Sequence, residues 1–469
     1  MTASVVALPL WPHQEELIAF SRERVGSLWD AGMGVGKSRA AIVLAEKWGP
    51  SVRFIFAPKK ACLNVWPKQI AMYGSQRARV VQLGTDKLSA KQKGAALDAA
   101  CKAAVTLGQT CYVIINYDAA WRPGLAEAIA RNAGLGAAFC DEVHRLKSPQ
   151  GKASKFFGTV ARRFQRRVGL TGTVMPHSPL DVFGTARFVD PALFGWSFVQ
   201  FRARYAKLDT RFGHPRVVGF QNIPELQAKL RTVTVHVPRS VLRLEEPLHE
   251  RVPVSLCPRA RAAYSAIDQD LRAEVDQGTL TVANAMVRVL RLQQVTGGLL
   301  PLDDGPGTII DSAKCEALAD LLEGVADDEP FVVFARFRHD LDRIHEAAKS
   351  LGRRSLECSG RVDQVAEWTR GDAPILAVQV GAGSESIDLT RSAYGAFYSV
   401  GHSLGQFEQA CARLHRPGQT RRVCFYHLVA SRTVDGVIYE SLRAKRDVIE
   451  SIMAAVRERR MEQEEDDAE

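Results

Sequence analysis

The sequence has no apolar run long enough to span a bilayer, where roughly 18 to 20 consecutive residues are needed. Its first ten residues, MTASVVALPL, have neither the basic start nor the long apolar stretch of a secretory signal. Together these absences lead us to expect a cytoplasmic protein with no membrane partner. Cysteine chemistry is equally sparse. Nine cysteines are scattered along 469 residues with no C-x-x-C pair. That argues against a disulfide framework and a zinc site, and leaves buried free thiols as the reading. There is no internal repeat, no long low-complexity run, no RNA-recognition signature and no aromatic run for stacking on single strands.

What is present is length, an apolar share of 46% and a net charge of +10. The length suggests about two or three domains. Residues 462–469 (EQEEDDAE) hold six acids and no base, so the remainder of the chain carries +16. This tail reads as a solvated, disordered end. A basic body suits an anionic polymer as partner and equally suits plain solubility; charge alone does not choose.

Short apolar runs at 54–57, 112–115, 331–334, 375–378 and 423–428 read as buried parallel strands. Helical patterns such as 314–322 and 341–348 lie between them, and 89–104 reads as an exposed helix. The alternation falls in two blocks, one ending near residue 180 and one starting near 312. The stretch between is mainly helical, as at 201–206, 224–230 and 258–277. A proline-punctuated segment at 237–253 and a turn cluster at 301–307 punctuate it. The expected fold class is therefore α/β: two doubly wound parallel-sheet lobes with helical insertions.

Residues 28–38 read LWDAGMGVGKS and precede an apolar helix at 40–45. A Gly-rich turn ending in Gly-Lys-Ser is a phosphate loop. Its backbone N–H groups, from Ala31, Gly32, Met33, Gly34, Val35 and Gly36, curl around phosphate oxygens, helped by the helix N-terminus. Lys37 reaches the β and γ phosphates and Ser38 ligates Mg²⁺. Ala31 stands where the pattern usually has its first glycine. Farther on, Asp141–Glu142–Val143–His144 follows the apolar segment 137–140. Phosphoryl transfer needs one carboxylate on the metal and one group that orients the attacking water. Asp141 suits the first task and Glu142, as general base, the second. The cofactors expected are ATP and Mg²⁺.

With these motifs in order, the sequence resembles the Swi/Snf-type DNA translocases of helicase superfamily two, over about residues 8 to 455. LWPHQ (10–14) is similar to the family's opening motif, which implies that Gln14 contacts adenine. FAPKKACLNVW (56–66) resembles a segment touching the nucleic-acid backbone, making Lys59 and Lys60 candidate phosphate contacts. VIINY (113–117), DEVHRLKSP (141–149) and LTGTVMP (170–176) match the next motifs. They imply that His144, Thr171 and Thr173 couple the nucleotide to the DNA grip. GFQNIPELQAKL (219–230) and 256–264 resemble the stretches around the interlobe linker, and SAKCEALADLL (312–322) the start of the second lobe. QACARLHRPGQ (409–419) fits the pattern Q-x-x-x-R-x-x-R-x-G-Q. Gln409, Arg413 and Arg416 fall at i, i+4 and i+7, a spacing that predicts one helix face, and both arginines are candidate arginine fingers. GAGSESIDLT (381–390) departs from A-G-G-x-G-x-N-L, with Ser384 and Ser386 for glycines and Asp388 for asparagine.

The resemblance implies two RecA-like lobes. The expected limits are 1–236 for the ATP-binding lobe, with a helical insertion at 177–236, and 237–257 for an interlobe linker. A second helical insertion at 258–311, a helicase lobe at 312–455 and a charged tail at 456–469 follow. It implies a DNA-dependent ATPase that translocates on double-stranded DNA, in a minimal form of bacterial or phage kind, with a targeting or nuclease protein as a possible partner. Two other readings stand: a strand-separating helicase or motor of a repair or restriction complex, and a nucleotide-gated DNA-binding switch with little turnover. Basic groups at Arg162, Arg163, Arg166, Arg167, Arg353, Arg354, Arg421 and Arg422 suit either a polyanion or solvent. Trp29 and Trp66 read as packing residues.

Overall fold

The computed structural model describes residues 9–49, 51–84, 88–175, 178–209, 215–276, 282–302, 307–381 and 387–444. The chain forms two units, Met1–Arg243 and Leu244–Glu469. The expected tail, and part of each of the loops at 301–307 and 381–390, lie outside the described residues.

The first unit contains β1 (Gly26–Ala31), β2 (Val52–Ala57), β3 (Arg79–Gln82), β4 (Cys111–Asn116), β5 (Gly136–Asp141) and β6 (Arg166–Thr171). A two-stranded antiparallel ribbon, β7 (Ala206–Asp209) with β8 (Arg216–Phe220), and then β9 (Thr234–Val237) complete it. Its main sheet is all parallel, in the order β3-β4-β2-β5-β6-β1-β9. β2 and β4 are buried along their whole lengths, as continuous apolar runs between two helical layers should be. Alternation divides them: Phe54 and Phe56 pack into one core, Ile55 and Ala57 into the other. Arg53, buried near the start of β2, is satisfied by the carbonyls of Ala45 and Gly49 at a helix end and by that of its neighbour Val52.

The second unit contains β10 (Leu248–Val254), a small antiparallel pair β11 (Leu299–Leu300) and β12 (Thr308–Ile309), then β13 (Phe331–Ala335), β14 (Ser355–Cys358), β15 (Ile375–Gln379), β16 (Tyr394–Phe397) and β17 (Cys424–Ala430). Its main sheet is also parallel, in the order β10-β17-β16-β13-β15-β14. The fold is thus α/β with two RecA-like parallel-sheet lobes.

Several expected boundaries shift. The region 177–236 is not purely helical: it supplies the β7–β8 ribbon and the edge strand β9. The segment 237–257 does not act wholly as a linker, because β10 pairs along its length with β17. Pro253 is compatible with this because β10 is an edge strand with a single neighbour. The helices Pro258–Asp276 and Val282–Thr296, within the expected helical insertion 258–311, pack into the second unit. Tyr264, Leu271, Leu292 and Val295 share a core with Ile438 and Leu442 of the helix Val434–Arg443. Lys314 ties this region to the sheet. Its Nζ lies 2.6 Å from Asp435 Oδ2 and donates to the Tyr398 carbonyl, with the lysine side chain 2% exposed. The helix Ala90–Leu107 is also not simply exposed, since Leu97, Ala100, Cys101 and Ala104 are buried.

Candidate nucleotide site

Parallel α/β sheets place ligands at the carboxyl ends of their strands, and the first unit gathers its candidate residues there. The phosphate loop leaves β1 at Ala31, the acidic pair ends β5, and Thr171 ends β6, which lies between them. Register holds them level: Asp141 pairs with Leu170 and Asp30 with Thr171.

Ala31 is the last residue of its strand and fully buried. It has no positive φ, so a glycine is not needed there. The bends come later. Gly36 caps the helix Lys37–Lys47 with φ 79°, a conformation that penalises any side chain. A Cβ at Gly36 would lie 2.2 Å from Gln14 Nε2. Gly32 is needed for proximity instead: its Cβ would meet Arg239 at 2.9 Å, and its N–H donates to the Val237 carbonyl at 2.9 Å. The loop is therefore seated against the last strand of its own unit. Met33, Gly34 and Val35 form the turn between, and Ser38 follows Lys37 in the first turn of the helix. Lys37 Nζ donates to the carbonyls of Ala31 (2.7 Å) and Gly32 (3.0 Å), which holds the ammonium over the loop.

Gln14, the expected adenine contact, is placed against the phosphate loop. It is 1% exposed and both ends of its amide are engaged. Nε2 donates to the Gly36 carbonyl at 3.2 Å, and Oε1 accepts from the Trp11 N–H at 3.0 Å. His13 Nε2 lies 2.9 Å from the Val35 carbonyl. These two side chains brace the loop from beneath.

At the acidic pair, Asp141 Oδ2 accepts from Trp66 Nε1 at 3.0 Å, and the Asp141 carbonyl accepts from the Tyr117 hydroxyl at 2.7 Å. Burial first, and the neighbouring Glu142 second, push the Asp141 carboxyl up to about 6; the Trp66 N–H and Lys37 oppose the shift. Glu142 sits in the left-handed region, φ 51° and ψ 50°, a strained conformation for a non-glycine residue. Its Oε2 is shielded and makes no hydrogen bond. His144 Nδ1 is 3.4 Å from that oxygen and 3.0 Å from Thr171 Oγ1. Thr171 in turn accepts from the Thr173 N–H and donates to its carbonyl, each at 3.0 Å. The three coupling candidates are thus one contact chain ending at Glu142. Lys59 and Lys60 begin the short helix after β2, with Lys59 exposed and Lys60 Nζ shielded without a hydrogen bond.

The donor set fits a magnesium nucleotide. A carboxyl pushed upward by burial and by a neighbouring acid would be stabilised by a cation, and Ser38 and Asp141 are the candidate groups that would hold one. Among the described residues no three His, Cys, Asp or Glu side chains cluster as a metal cage.

In the second unit, Gln409 and Arg413 lie on the helix Leu404–Leu414, but Arg416 does not share their face. The helix ends at Leu414, and Arg416 stands in the following turn. The cause is Pro417, which disfavours helical backbone in the residue before it. Arg416 Nη1 donates to the Ile387 carbonyl at 3.4 Å, and the Leu389 N–H donates to the Arg413 carbonyl at 3.1 Å. Gln419 Nε2 donates to the carbonyls of Thr390 (3.2 Å) and Ser392 (2.7 Å). The sequence alone does not assign these roles to Trp66, Tyr117 and Gln419. Their only sequence signal is membership of the motifs 56–66, 113–117 and 409–419.

The first parallel-sheet unit carries a phosphate loop and a strand-end acidic pair, the second a later arginine motif, and in motif order the chain resembles the Swi/Snf-type ATPase cores. No family model matches the chain. It is 26% identical over 457 residues to protein p41 of Acyrthosiphon pisum secondary endosymbiont phage 1, covering 92% of this chain and 95% of that one. It is 22% identical over 481 residues to the DNA annealing helicase and endonuclease ZRANB3 of Mus musculus, covering 98% of this chain but 42% of that protein. A Sulfolobus solfataricus SWI2/SNF2 ATPase core in complex with dsDNA aligns over 96% of this chain and 95% of that one, at 19% identity and a TM-score of 0.42. Among the described residues no helix is long and apolar enough to cross a membrane.

Proposed function

We propose that the protein is a DNA-dependent ATPase that couples hydrolysis to translocation on double-stranded DNA. The observation that carries this reading is the contact chain from Glu142 through His144 to Thr171 and Thr173, beside the phosphate loop. It joins the group that senses the attacking water to a threonine pair at the end of the next strand. In this reading Lys37 neutralises the β and γ phosphates, while Ser38 and Asp141 hold Mg²⁺, which supplies Lewis-acid stabilisation of the phosphate oxygens. Glu142 orients and deprotonates the water; its strained backbone fixes the carboxylate and its shielded oxygen is ready to accept. Gln409, Arg413 and Arg416 act on the γ-phosphate. Loss of that phosphate changes the differential affinity for two conformations, and each cycle yields a step if Lys59, Lys60 and other cations grip the DNA backbone.

The DNA assignment is supported by the DNA helicase among its relatives and by a body charge of +16 outside the acidic tail. The test is ATP hydrolysis with duplex DNA, single-stranded DNA, RNA or no polymer. Duplex DNA is expected to stimulate most, and Glu142→Gln to lower turnover by about two to four orders of magnitude while retaining ATP binding. Stimulation by RNA alone would sink the proposal. Triplex displacement without duplex unwinding then separates translocation from strand separation.

A further inference from the structure

Arg416 already has a counter-ion within its own unit. Asp388 Oδ1 accepts from the Thr390 N–H at 3.0 Å and from the Thr390 hydroxyl at 2.8 Å, a local turn that fixes the carboxylate. Its other oxygen lies 3.7 Å from Arg416 Nη1. The same nitrogen donates to Ile387, next to Asp388 in sequence, while Arg416 Nε is shielded and makes no hydrogen bond. Gln419 clamps the carbonyls on the far side of the turn, and the Leu389 N–H is fastened to the Arg413 carbonyl. Residues 387–390, the Asp388 carboxylate, Arg416 and the Arg413 carbonyl are therefore one assembly.

We propose that Asp388 is a positioning residue that restrains Arg416: its carboxylate holds the guanidinium by charge, so that the γ-phosphate must compete for it. The inference rests on the reading of Arg416 as a γ-phosphate contact. Two electrostatic effects act in the same direction. The carboxylate offsets the positive charge that attracts a triphosphate, and it repels the triphosphate directly. An asparagine at this position would keep the turn, because its side-chain oxygen accepts the same two bonds, but would leave the guanidinium unopposed. The effect is modest, since the Asp388 side chain is 61% exposed and that of Arg416 30%. Exposed pairs at such distances change rates by about two- to fivefold.

The test uses the full-length protein and ATP hydrolysis without DNA. Asp388→Asn should raise kcat/KM by about two- to fivefold at low ionic strength, with the gain shrinking as salt screens the pair. Asp388→Glu, which keeps the charge, should stay near the wild-type rate. Arg416→Ala and Asp388→Asn/Arg416→Ala should be equally impaired, because the carboxylate acts only through the arginine. An unchanged or slower Asp388→Asn variant overturns the proposal, as does an equal gain in the Arg416→Ala background. If Arg416→Ala alone retains full turnover, the γ-phosphate reading fails, and the inference with it.

Discussion

Trp66 offers the sharpest perturbation of the acidic pair. It is fully buried and its indole N–H is the foremost influence keeping the Asp141 carboxyl from rising further. Trp66→Phe deletes that single donor and keeps most of the ring. A hydrogen bond to a charged group is worth about 1.5–3 kcal/mol, and about 1.4 kcal/mol corresponds to one pKa unit. The Asp141 carboxyl should therefore climb from about 6 by about one to two units. At pH 7 its ionised fraction falls from about nine-tenths to between a half and a tenth, by about those units. Because kcat/KM reports the free enzyme's ionisations, its acid limb should move up by the same interval. At pH 7 the loss should be about two- to tenfold, and the variant should converge on wild type near pH 9. Stability follows the same sign. An acid whose folded pKa lies above its ordinary value costs the fold stability as pH rises from about 4 through about 6, and Trp66→Phe extends that loss upward. A uniform fall in kcat/KM at every pH, or an acid limb that does not move, would refute the reasoning and leave Trp66 as a packing residue.

Gly36→Ala places a side chain at φ 79° and against Gln14; ATP affinity measured by calorimetry should drop at least about tenfold, from left-handed strain of about 1–2 kcal/mol plus the clash, with the fold retained by circular dichroism. Asp435→Asn leaves the buried Lys314 ammonium without its counter-ion; urea denaturation should show a loss of about 3–5 kcal/mol in the second unit, much of it recovered in Lys314→Met/Asp435→Asn.

The strands that the sequence reveals are those with an unbroken apolar signal. β2, β4, β13, β15 and β17 lie within two residues of the runs read from composition. β6 begins with two arginines and β16 is four residues with a glycine, so neither carries that signal. Their place is fixed by neighbours on both sides, a tertiary property. β10 was hidden by Pro253, read as a separator although an edge strand tolerates it. The arginine motif was over-read in the opposite way: a spacing of four and then three suggested one helix face, while Pro417 should have ended it. At the site, residue types and order were legible because phosphate chemistry demands them. The Trp66 bond to Asp141, the brace under the loop from Gln14 and the left-handed backbone of Glu142 were not, because each depends on which distant segments the sheet brings together.

The seating of Gly32 against Val237 and Arg239 has a mechanical consequence. β9 is the outermost strand of its sheet, and Arg239 is four residues from the end of the first unit. In kinematic terms the phosphate loop and the segment by which the chain leaves that unit form a single link, joined by one backbone hydrogen bond and a contact that admits no side chain. A displacement of the chain at Val237–Arg239 is therefore felt together at the phosphate loop and at the end of β1, because Val237 pairs with Ala31 as well as holding Gly32.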